Sequence, residues 1–74
     1  MSTRKNLVKA LARKYEAIIA EATATAEIYF DNSVGIGEHP QHVKELDKLI
    51  TKISNAQENL DILKKHFDYD DIPF

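Results

Sequence analysis

The second half of this chain carries an apolar heptad with no polar break: Leu46, Leu49, Ile53, Ala56, Leu60, Leu63 and Phe67 recur at alternating steps of three and four residues. At 100° per residue these side chains share one helical face, with the spacing of a coiled-coil seam. Val43 and Ile50 widen the stripe at its start. A second pattern runs from Leu7 to Phe30, where Leu7, Val8, Leu11, Ala12, Tyr15, Ile18, Ile19, Ala22, Ala26, Tyr29 and Phe30 occupy a face roughly 140° wide. Its seam, Leu7, Leu11, Tyr15, Ile18, Ala22, Ala26 and Tyr29, has an eleven-residue repeat of about 3.67 residues per turn, which argues against tight left-handed supercoiling. No internal Gly or Pro breaks either pattern. Two amphipathic helices follow, each roughly 40 Å long at about 1.5 Å per residue, the first capped by Ser2 or Thr3.

The segment between them, SVGIGEHPQH, holds both glycines, one of the two prolines and two of the three histidines. Gly35 suits the left-handed position just past a helix, and Ile36 can fold back onto Phe30 in a Schellman ending. Gly37 supplies a second turn. Pro40 fits the first position of the next helix, where its missing N–H costs nothing, and His39 or Glu38 then becomes the cap. So short a connection joins antiparallel neighbours. The predicted fold is all-α, an antiparallel two-helix αα-hairpin in a single domain: helix about 3–34, turn about 35–39, helix about 40–67, and an acidic-aromatic tail at 68–74.

Seventy-four residues make a marginal core for one copy. Both stripes are also wider than the narrow seam of a two-helix contact, so the expected state is a homo-oligomer in which two hairpins form a four-helix bundle. Ala10, Ala17, Ala24 and Ile28 line up on the reverse of the first helix, which high helix propensity explains without a partner. The absence of cysteine removes disulfides, thiolate nucleophiles and Cys-based metal sites. Arg13, Lys14, Glu16 and Glu21 interrupt every apolar run of the N-terminal half, which fits neither a signal peptide nor a membrane span of about 20 residues. A cytoplasmic protein with no membrane partner is the expectation.

The net charge of −2 is unevenly spread. Arg4, Lys5, Lys9, Arg13 and Lys14 stand without an acid near the start, and Asp68, Asp70 and Asp71 without a base at the end. Each pole opposes the dipole of its own helix, and an antiparallel hairpin brings the two together. Mutual neutralisation accounts for both better than a nucleic-acid contact, for which the basic end lacks interleaved aromatics. Glu38, His39, His42 and Glu45 have metal-ligand chemistry, but a capped, solvated helix start explains them and no metal is expected. GIG lacks the strand, third glycine or Gly-Lys-Ser/Thr ending of a phosphate loop. No Ser, Thr or Lys has an activating neighbour, and His66 sits where a cation compensates a helix C-terminus. Tyr15 and Tyr29 read as core residues with their hydroxyls at an edge. The expectation is therefore no enzyme, no catalytic residue and no cofactor.

The tail FDYDDIPF is the strongest functional feature. Phe67, Tyr69, Ile72 and Phe74 alternate with aspartates, Asp70 and Asp71 among them, a composition suited to docking in an apolar groove with a basic rim, on a larger protein partner or back on the hairpin. Such tails resemble the C-terminal clamp-binding peptides of bacteriophage replication and transcription proteins. Residues 29–67, through VGIGEHP and the heptads that follow, resemble small uncharacterised helical proteins of T4-like tailed bacteriophages. That resemblance implies a host-cytoplasm setting and carries no activity or functional residue. The function expected is self-association and protein–protein contact; a replication or transcription accessory acting through its tail and a nucleic-acid contact through the basic N-terminus are the alternatives. Gly35→Val should lower the thermal unfolding midpoint more than a surface substitution does, because a β-branched side chain is disfavoured at positive φ. Thermal melts of the two variants check this.

Overall fold

A computed structural model describes residues 2–31 and 40–67. Helix α1 spans Thr3–Asp31 and helix α2 spans Pro40–His66, and the two pack against each other along their length. Among the described residues there is no strand. The expected turn at 35–39, with Gly35 and Gly37, lies outside the described residues, as do the last positions of the longer first helix, 32–34, and the tail 68–74. Pro40 opens α2 as its ring geometry favours.

The helix ends follow from local chemistry. Ser2 caps α1: its Oγ accepts from the backbone N–H of Lys5 at 3.0 Å, and its carbonyl accepts from the N–H of Asn6 at 3.2 Å. Helix α2 ends at His66, one residue before the expected boundary, with Phe67 in a turn whose N–H still donates to the Leu63 carbonyl at 3.1 Å. Lys64, Lys65 and His66 occupy that last turn, where positive charge complements the helix dipole.

Two contacts at opposite ends fix the register. Arg4 bonds to Phe67 at one end, and the rings of Tyr29 and His42 meet edge-on at the other, centroids 5.7 Å apart. In both pairs the residue numbers sum to 71, the numbering of an antiparallel pairing in which position n of α1 answers to about position 71 − n of α2. It sets Ala22 level with Leu49, Ala12 and Ala26 within one residue of Leu60 and Leu46, and Tyr15 level with Ala56. Ala12 and Leu60 share the buried cluster, and a small residue beside a large one lets the backbones approach while the side chains interdigitate.

The buried side chains are Val8, Ala12, Ala22 and Ala26 of α1 and Ala56, Leu60 and Leu63 of α2, with Tyr15 and Ile19 packed on the cluster of Val8, Ala12, Leu60 and Leu63. Of the seam read from the first pattern, Ala22 and Ala26 are buried and Tyr15 packs on the core, and only its first two members are corrected. Leu7 and Leu11 were expected at the contact, yet they are 60% and 40% exposed, and the helix is turned so that Val8, Ala12 and Ile19 face α2 instead. Alanine decides the rotation: Ala12 across from Leu60 makes a close layer, whereas Leu11 in its place would hold the axes apart.

Among the described residues four of the seven buried side chains are alanine, so the core is thin. The molecule measures 53 × 16 × 15 Å, and its radius of gyration is 16.1 Å, against about 11 Å for a compact chain of this length. It is a rod one layer of helices deep. Ala56→Leu should overpack the layer opposite Tyr15 and cost about 1–3 kcal/mol, while the same change at exposed Asn55 should be nearly neutral. Chemical denaturation of the two variants checks the register.

Candidate functional site

The rotation of α1 that buries Val8 and Ala12 leaves Leu7 and Leu11 on its flank, and this creates a groove at the end of the hairpin away from the turn. Arg4, Leu7, Val8 and Leu11 of α1 with Leu63 and Phe67 line an apolar depression of about 430 Å³. A second depression of about 230 Å³ adjoins it, shares Leu11, Leu63 and Phe67, and extends to Tyr15, Asn59 and Ile62. Ile62 is 46% exposed and Phe67 49% exposed, so large apolar side chains border water along the groove.

Arg4 stands at its rim. The guanidinium donates to the Phe67 backbone carbonyl at 3.0 Å, satisfying one of the acceptors that the last turn of α2 leaves without an intrahelical partner. A positive charge unfavourable at the start of its own helix thus becomes favourable at the neighbouring C-terminus. Arg4 thereby ties the start of α1 to the end of α2. Asp68, Asp70 and Asp71 lie outside the described residues. Further ion pairs are local and exposed, Arg13 with Glu16 at 3.0 Å and Lys48 with Glu45 at 3.3 Å, and such pairs add little to stability.

Of the tail residues named from sequence, Phe67 is described and lines both depressions; Tyr69, Asp70, Asp71, Ile72 and Phe74 lie outside the described residues. In the EHPQH segment, His42 packs its ring on Tyr29 and Glu45 bonds to Lys48, while Glu38 and His39 are outside the described residues. Among the described residues no three His, Cys, Asp or Glu side chains gather where they could hold a metal ion. Tyr15 and Tyr29 are half-buried at the edge of the interhelical contact. Sequence reasoning missed Leu7, Leu11 and Leu63 as groove residues. The available signal was the excess width of the first stripe over a single seam.

A second apolar surface lies on the outer flank of α2. Val43, Leu46, Ile50 and Ile53 recur at steps of three, four and three, with Val43 71% and Ile50 51% exposed and the other two half-buried. The register sets Phe30, also exposed, level with position 41 near the start of this stripe. The reverse face of α1, Ala10, Ala17, Ala24 and Ile28, is exposed as well and is chiefly alanine.

No described helix is long and apolar enough to cross a membrane. Compared with protein-family models, curated proteins and solved structures, the chain has no significant match.

Arg4→Ala should speed amide exchange in the last turn of α2, at Lys64 to Phe67, and leave the middle of the hairpin at Ala22 and Leu49 unchanged. Hydrogen-exchange measurements resolved by residue check this.

Proposed function

We propose that this chain is a non-enzymatic helical module that works by self-association and protein–protein contact. The observation that carries the reading is the stripe Val43, Leu46, Ile50, Ile53, which has coiled-coil spacing and whose outer members, Val43 and Ile50, no described helix covers. Exposed apolar side chains in a contiguous row are what a protein interface requires, and a thin hairpin gains most by covering them. Packing the stripe on itself across a two-fold axis gives a four-helix bundle, in which each α2 contacts its own α1 on one side and the second copy on the other. The same proposal includes a cytoplasmic setting.

Sedimentation at micromolar concentration tests it. The chain should run as a dimer or larger species, and Val43→Glu with Ile50→Glu should give a monomer of 8.4 kDa that keeps its helical circular dichroism, since both positions are exposed in the hairpin. A native chain that is monomeric throughout the concentration range overturns the proposal.

A further inference from the structure

We propose that the groove at the open end is a binding site for an acidic-aromatic peptide, and that its occupant is this chain's own segment 68–74, folded back from Phe67. The inference is separate from self-association, because it uses the opposite end of the hairpin and the opposite side of the α2 seam: Asn59 and Ile62 border the groove on one side, Val43 and Ile50 lie on the other.

Charge complementarity is the first argument. The described residues of the open end, 2–15 and 56–67, contain Arg4, Lys5, Lys9, Arg13, Lys14, Lys64 and Lys65 against two acids, Glu58 and Asp61. The segment that follows Phe67, DYDDIPF, contains three aspartates and no base. Arg4 both lines the groove and holds the Phe67 carbonyl, so the segment departs from the groove's own rim, beside a guanidinium. Attachment at that point makes docking intramolecular, with a high effective concentration.

Reach and shape agree with this occupant. The groove runs from Arg4 to Tyr15, about 17 Å along α1 at about 1.5 Å per residue. Seven residues extend to about 23 Å, which allows a reversal at Asp68–Asp70 and still carries the end of the segment to Leu11. In an extended chain Ile72 and Phe74 project on the same side, and the groove offers two adjoining apolar depressions, about 430 and 230 Å³, to receive them. Pro73 between them favours the extended backbone that this needs. The apolar residues of the tail and those of the groove, exposed separately, then cover one another.

Methyl NMR on the full chain tests the assignment. Ile72→Ser with Phe74→Ser should shift the methyl resonances of Leu7, Leu11 and Leu63, leave those of Ala22 and Ile53 in place, and keep the helical circular dichroism. Adding a synthetic peptide of residues 67–74 to that variant should restore the native shifts, and the same peptide carrying both serines should bind at least about tenfold more weakly, as expected for losing two apolar anchors. Rising salt should weaken the native peptide. Unmoved Leu7, Leu11 and Leu63 methyls in the variant overturn the proposal. So does a difference between variant and native chain that disappears on dilution from millimolar to micromolar, which assigns the groove to a second copy. Equal restoration by the serine peptide overturns it too. Each readout stands apart from the oligomeric state, which Val43 and Ile50 test separately.

Discussion

The pairing of alanine on one helix with a large side chain on the other governs this molecule. Ala12 of α1 shares a buried cluster with Leu60 and Leu63 of α2, and Ala22, Ala26 and Ala56 are buried as well. Close helix approach depends on these layers, because two bulky residues at one level would separate the axes. The layers also fix the rotation of each helix about its axis, and rotation determines what remains on the surface.

Both exposed apolar surfaces follow from that rotation. Turning α1 to present Val8 and Ala12 to α2 moves Leu7 and Leu11 to the flank, where Leu63 and Phe67 complete a groove. On α2 the same seam leaves Val43 and Ile50 outside the contact. Among the described residues no third element covers either surface, so a thin core and exposed stripes are two consequences of the same geometry. The proposed functions assign one surface to a second copy and the other to the chain's own acidic-aromatic segment.

Electrostatics reinforce the antiparallel arrangement without dominating it. Arg4 bridges to the last turn of α2, and Lys64, Lys65 and His66 already complement that terminus, while the remaining described ion pairs are exposed and local. The concentration of base at the open end distinguishes that end from the rest of an acidic chain. That asymmetry is what makes the segment after Phe67 chemically suited to the groove beside it.

The heptad from Leu46 to Phe67 determined by itself that α2 is one unbroken amphipathic helix and that Ala56, Leu60 and Leu63 lie at its contact, since spacing alone puts them on one face. The first pattern determined a helix and a broad apolar side, with Ser2 or Thr3 as its cap, because periodicity and capping chemistry are local; the structure selects Ser2. Which part of that broad side meets α2 was decided only by tertiary packing: Leu7–Leu11–Ile18 and Val8–Ala12–Ile19 have the same periodicity, and it took the leucines of α2 to select the row with the alanine. The groove was illegible for the same reason. Leu7 and Leu11 stand more than fifty positions from Leu63 and Phe67, and it is the register of two helices, set by contacts at both ends of the hairpin, that brings them to one place.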